Sequence, residues 1–216
     1  MKNLLHLTLV VFMATFLFSC NSSQKVELFN GEDLSKWTKF VKGDEADPDE
    51  TFRVEDGLIH VSGVPNGYIR TKEVYSNYKL HVEWRWVEEP ANSGIFIHCS
   101  GEDKIWPSVI ECQLAHSKAG DLVFLNSKGT VNGEPCRPHP RNENISFCTK
   151  FEESSEKPAG EWNEADITCR DNTFEFVING VLQMKGSAEG KSEGNICLQS
   201  EGGPIQFRNV YLEKLD

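Results

Sequence analysis

Residues 80–86 read Leu-His-Val-Glu-Trp-Arg-Trp, and this heptad decides the fold class. Leu80, Val82, Trp84 and Trp86 fall on one side of an extended chain, with His81, Glu83 and Arg85 on the other. A period of two is the signature of a strand with one buried face, because successive side chains of a strand point to opposite sides. The pattern recurs outward along the chain. Ile95 and Ile97 alternate with Phe96 and His98; Ile110, Cys112 and Leu114 with Glu111 and Gln113; Phe174, Phe176 and Ile178 with Glu175 and Val177. Asn179-Gly180 and Asp56-Gly57 stand between strand-like runs, where a two-residue hairpin turn needs positive φ at both positions. No stretch carries a helical stripe of a dozen residues. Short strands punctuated by turns predict an all-β antiparallel sandwich. Residues 127–161 hold four prolines among Gly, Asn and Glu and read as a long irregular loop of the kind that lines sites.

The chain has 216 residues and a formal net charge of -11, from 22 Lys and Arg against 33 Asp and Glu. That balance, with no basic stripe, argues against nucleic acid and anionic membrane surfaces as partners. The start differs from the rest. Lys2 is followed by an apolar run from Leu4 to Phe18, then Ser19-Cys20 and a polar Asn-Ser-Ser-Gln. This is the layout of an export signal, too short for a membrane span. It resembles a bacterial lipoprotein signal, cleaved before a cysteine that is then lipidated. The reading is therefore a leader over 1–19, lipidated Cys20 and a tether over 20–26, and one domain over 27–216. The expected product is exported and held on the bacterial membrane by its lipid alone, on the outer membrane at its periplasmic or surface face. Six cysteines remain. Cys136 and Cys148 flank a loop and are the best disulfide pair, while Cys112 and Cys197 read as small core fillers.

The polar outward positions of the central strands give the candidate chemistry. Glu83 and Arg85, His98, and Glu111 and Gln113 converge on one sheet face if their strands are neighbours. Two carboxylates with an imidazole can hold a divalent cation or transfer protons. The same residues also read as solvated cross-strand charges and a satisfied strand end. Trp106 offers either a stacking face or a plug at the rim. His116 and Asp121 follow the Glu111 strand closely enough to reach the same mouth, and His139 sits in the Pro-rich loop. His60 and His81 read as structural. The sequence lacks the short motifs of serine hydrolases, P-loop nucleotide binders, zinc proteases and dinucleotide enzymes.

Four blocks carry a resemblance: LFNGEDLSKW (28–37), NSGIFIHCSGEDKIWPSVIECQLAHSKAGDL (92–122), EWNEADITCRDNTFEFVINGVLQ (161–183) and GNICLQSEGGPIQFRNVYLEKL (194–215). Together they resemble the 3-keto-disaccharide hydrolase domain family, from about Val26 to Leu215. The resemblance implies a concanavalin A-like jelly roll of two curved antiparallel sheets, with a carbohydrate site on the concave face. It implies a 3-keto-glycoside or other carbohydrate as partner, cleaved by hydrolysis or by elimination followed by hydration, and one divalent ion such as Ca²⁺ or Mn²⁺. Carried onto this sequence, the catalytic set is Glu111, His98 and Glu83, with Glu111 and His98 as metal ligands. Arg85, Gln113, Trp106, His116 and Glu201 are the substrate-binding set. Glu201 departs from the family pattern, which often has His there. A glycan-binding module without chemistry is the alternative reading. The sequence leaves the oligomeric state open.

Overall fold

In the computed structural model the description covers residues 24–43 and 46–216; the leader, Cys20 and most of the tether lie outside them. Among the described residues eighteen strands follow one another: β1 (Lys25–Glu27), β2 (Trp37–Val41), β3 (Phe52–Glu55), β4 (Leu58–Val61), β5 (Gly67–Thr71), β6 (Tyr78–Trp86), β7 (Gly94–Ser100), β8 (Ser108–Gln113), β9 (Leu122–Leu125), β10 (Gly129–Val131), β11 (Glu134–Pro135), β12 (Arg137–His139), β13 (Asn142–Cys148), β14 (Asn163–Arg170), β15 (Thr173–Ile178), β16 (Val181–Ala188), β17 (Asn195–Ser200) and β18 (Ile205–Lys214). The described residues contain one helix, the single turn Pro48–Thr51.

The strands form two antiparallel sheets. The ten-stranded sheet runs β11-β10-β16-β15-β14-β6-β18-β4-β3, with β1 also on β18. The eight-stranded sheet runs β12-β13-β9-β8-β7-β17-β5-β2. Alternation puts Leu80, Val82, Trp84 and Trp86 of one sheet against Ile95, Ile97, Ile110, Cys112 and Leu198 of the other, all fully buried. Burying such side chains contributes about 1.5–3 kcal/mol each. This core separates two outward faces, one on each sheet.

Both predicted hairpin dipeptides turn as expected: Asn179 and Gly180 have φ of 49° and 79°, and Asp56 and Gly57 of 52° and 75°. A Cβ on Gly180 would meet no atom within 4 Å. Gly180→Ala should therefore cost only the left-handed backbone strain, about 1–2 kcal/mol, read as a lowered denaturant midpoint. Residues 127–161 are more ordered than expected. Two hairpins, β10–β11 and β12–β13, occupy their first part, the former turning at Asn132-Gly133 with φ of 54° and 82°. Only the segment beyond Cys148 is irregular. Cys136 and Cys148 form the disulfide, with Cα atoms 5.0 Å apart. Cys112 and Cys197 are both fully buried core fillers, Cys112 in the main core between the sheets and Cys197 in the smaller cluster with Tyr68 and Phe96.

Candidate functional site

The outward face of the eight-stranded sheet collects the residues that alternate with its core. Tyr68, Phe96, Cys99, Val109, Val123, Leu125 and Cys197 form an apolar cluster there, flanked by Phe40, Trp106, Ile145 and Phe147. The register lines up Arg70, Cys197, Phe96, Glu111, Val123 and Phe147 on adjacent strands. The segment after β7 is strapped onto this face: Arg70 Nη1 donates to Gly101 O (2.9 Å) and Asp103 (3.2 Å), and the Tyr68 hydroxyl donates to Asp103 Oδ1 (3.0 Å). The result is an aromatic-rimmed face with one deep carboxyl.

That carboxyl is Glu111, only 3% exposed. It lies over Gly94, its cross-strand diagonal neighbour, because a side chain on Gly94 would occupy its place: an added Cβ would sit 2.4 Å from Glu111 Oε1 and 3.0 Å from Gln199 Oε1. Gln199 Nε2 in turn donates to Glu201 Oε2 at 2.8 Å. Glu111, Gln199 and Glu201 thus form a carboxyl–amide–carboxyl row. Glu111 Oε1 and Gln199 Oε1 are buried acceptors with no hydrogen-bond partner, as is Asn92 Oδ1. The Asn92 backbone pairs with Glu201 and Gly202. Burial, and then the charge of Glu201, push the Glu111 carboxyl up to about 8. Burial also raises Glu201, against the hydrogen bond from Gln199.

His98 does not join them. It has φ of 51° and sits where the β7–β8 register shifts between Ile97 and Ser100. This bulge turns its ring inward, edge-on to core Tyr78 with centroids 6.2 Å apart, and puts Cys99 on the outward face instead. Both ring nitrogens lack a hydrogen bond, and the Ser76 main chain gives only a weak polar contact. Burial, reinforced by the Lys191 charge, lowers its pKa to about 4, so the ring is neutral. His98 is therefore neither a ligand nor a proton-transfer group of this face.

Glu83 and Arg85 are also separated from Glu111. They belong to β6 of the other sheet and point away from the core on its far side. Glu83 accepts from Arg208 Nε (2.7 Å) and Asn209 Nδ2 (2.6 Å). Burial pulls its pKa up, but these hydrogen bonds and the Arg208 charge outweigh that and hold it low. Arg85 donates to Gln206 and, with Arg208, packs on the Trp162 ring. His81 has a partner the sequence did not suggest, Asp166 at 2.9 Å.

The other expected residues are spread around Glu111. Gln113 shares its face, but its Oε1 accepts from the Leu114 and Ala115 amides and so shapes its own turn. Trp106 packs at the rim of the cluster. His116 is exposed in the turn after β8, 3.8 Å from Glu156, and Asp121 accepts from the Lys150 amide. His139 packs on Phe147. Gln199, Asn92 and Arg70 were missed. Gln199 was legible as the residue two before Glu201 on one strand face, and Gly94 as a glycine inside a strand, which often marks close approach.

The two packed antiparallel sheets define a jelly roll. A candidate glycosyl hydrolase of Parabacteroides distasonis ATCC 8503 superposes with a TM-score of 0.64 at 23% identity, covering 89% of this chain and 94% of that one. The β-glucanase of Bacillus licheniformis does so at 0.57 and 13%, over 91% and 99%. The carbohydrate-binding module CBM66 from Bacillus subtilis gives 0.55 and 13%, over 83% and 96%. No protein of curated function is similar enough to match. The chain belongs to the 3-keto-alpha-glucoside-1,2-lyase-like domain family, which matches residues 24–213.

Proposed function

We propose that the chain cleaves 3-keto-glycosides at C1 by elimination across C1–C2 followed by hydration, on the outward face of the eight-stranded sheet. The observation that carries this reading is the row of Glu111, Gln199 and Glu201 over Gly94, set in an aromatic-rimmed face of a chain of this family. A ketone at C3 makes the C2 proton acidic, because the electron pair left behind delocalises onto the ketone oxygen. Glu201 is the group to take that proton. It is the less buried of the two carboxyls and is oriented through Oε2 by Gln199. The C2–H pair then forms the C1–C2 double bond as the C1–O bond breaks, and the departing oxygen takes a proton. Water later adds its oxygen to C1 and a proton to C2, giving the free 3-keto sugar. Charge building on the enolate oxygen needs a positive partner in a dry site. Glu111 Oε1 and Gln199 Oε1, directed at the same space over Gly94, supply the position for one.

The test is incubation of the protein with a 3-keto-glucoside in D₂O. The expected result is release of the aglycone with deuterium at C2 of the recovered sugar. Release without deuterium would replace elimination by direct hydrolysis. Tight glycan binding without any release would make the protein a binding module instead.

A further inference from the structure

We infer that Cys99 and Cys197 are a dithiol pair that closes into a second disulfide, linking β7 to β17, when a small-molecule disulfide serves as oxidant. Among the described residues four thiols are free, Cys99, Cys112, Cys169 and Cys197, and all are buried. Cys112 and Cys169 lie in the main core, on strands of opposite sheets. Cys99 and Cys197 lie on neighbouring strands of one sheet, in the same outward cluster, with their thiols in hydrogen-bonding contact. Local structure makes that contact. Regular alternation from Ile95 and Ile97 would send Cys99 into the core, away from Cys197. The β7 bulge reverses this through a left-handed His98, with φ of 51°. Gly194 admits the bulge: a Cβ there would lie 2.4 Å from His98 C and 2.8 Å from Cys99 N. The register then sets Cys99 opposite Asn195, on the same strand as Cys197.

The surroundings suit thiol–disulfide exchange. Lys191 Nζ donates to His98 O (2.9 Å), Ser100 Oγ (2.7 Å) and Ser108 O (3.1 Å). Arg70 donates to Asn195 Oδ1 from Nε (2.9 Å) and Nη2 (2.6 Å). Two cations therefore flank Cys99. The hydrogen bond from Cys197, with these charges, holds the Cys99 thiol below its ordinary pKa against burial, while burial holds Cys197 well above it. Cations beside a thiol favour the thiolate, which is the attacking species. Exchange with an oxidant RSSR then runs in two steps. The Cys99 thiolate attacks one sulfur: a Cys99–SR bond forms, the oxidant's S–S bond breaks and RS⁻ departs. Cys197 gives up its proton and attacks Cys99 Sγ, and the second RS⁻ departs. The two thiols lose two electrons, RSSR gains them, and the two thiol protons leave with the two RSH. The link ties together the strands that carry Gly94 and Gln199, whatever reaction the face performs.

The experiment equilibrates the folded full chain with glutathione and glutathione disulfide, unfolds it under acid, alkylates the remaining thiols and maps its peptides by mass spectrometry without reduction. A peptide pair joined through Cys99 and Cys197 is expected beside the Cys136–Cys148 pair, with Cys112 and Cys169 alkylated. Cys197→Ala should stop after the first step and carry glutathione on Cys99, whereas Cys99→Ala should leave Cys197 a thiol. Unchanged circular dichroism establishes that each variant folds, and mapping of the unsubstituted chain decides the matter even where one does not. The rise in Tm from reduced to oxidised protein should be about 5–15 °C larger in the unsubstituted chain than in Cys197→Ala, where Cys136–Cys148 alone closes. Alkylation of both Cys99 and Cys197 after Cys136–Cys148 has formed would overturn the inference. So would equal Tm rises in the two proteins, or Cys99 and Cys197 joined as readily to Cys112 or Cys169, since unfolded chains would then be the source of the link.

Discussion

Glu201→Gln is expected to slow cleavage of a 3-keto-glucoside by about 10²–10⁴-fold, the usual contribution of a positioned base. The amide has the shape of the carboxyl and retains an oxygen for Gln199 Nε2, so the 2.8 Å contact and the Asn92 pairing at this position survive. Only the ability to accept the C2 proton is lost. The loss should fall on kcat, with KM little changed, because the aromatic rim is untouched. A C2-deuterated substrate adds a sharper reading: proton abstraction that limits turnover gives a primary isotope effect on the unsubstituted enzyme. If Glu201→Gln keeps its rate while Glu111→Gln abolishes it, the base is Glu111 and the roles of the two carboxyls are exchanged. If neither matters, the chemistry does not occur on this face.

Why Glu111 and Glu201 were legible in the sequence, while their company was misjudged, follows from what alternation encodes. The period of two in residues 80–86 tells that Glu83 and Arg85 point outward, and they do. It does not tell which outward face. β6 pairs with β14 and β18, and β7 with β8 and β17, so two strands that follow each other in sequence lie in different sheets. Packed sheets stand about 10 Å apart with a core between them, so Glu83 and Glu111 face opposite sides of the molecule. His98 failed for a different reason. A bulge inserts one residue into the alternation and reverses the face of everything after it. Nothing in Ile-Phe-Ile-His-Cys-Ser announces the slip. Its trace is Gly194, whose missing side chain lets β17 approach the His98 backbone: a Cβ there would lie 2.4 Å from His98 C and 2.5 Å from its Cα. Gln199 escaped notice because an amide carries no charge to mark it. The hairpins of residues 129–148 were hidden because their prolines sit at strand positions on the edges of both sheets, in β11 and β12, where a missing amide is tolerated.

Stability of the protein is expected to fall as pH rises from about 5 to about 8, and Glu111→Gln should remove most of that fall. The Glu111 carboxyl stands at about 8 in the folded chain, against 4.5 for the unperturbed group. Burial is the larger cause and the Glu201 charge the second. Raised in the folded state, the group binds its proton more tightly there than in the unfolded chain. Its favourable share of stability is therefore fully present below the unfolded value and disappears as pH climbs through the folded one. One proton changes unfolding free energy by about 1.4 kcal/mol per pH unit, so the span costs roughly 3–5 kcal/mol at most, a large fraction of a domain's total. His81, raised chiefly by its hydrogen bond to Asp166, adds a fall of the same sign above its own unfolded value. His98, lowered by burial, adds the opposite trend on the acid side, where stability drops as pH falls towards about 4. Both are on the far side of the core or within it and are unchanged by Glu111→Gln, so subtracting the variant's urea-derived stability profile from the unsubstituted one isolates Glu111. A difference that stays flat from pH 5 to pH 9 would mean the carboxyl ionises normally and the site is wet.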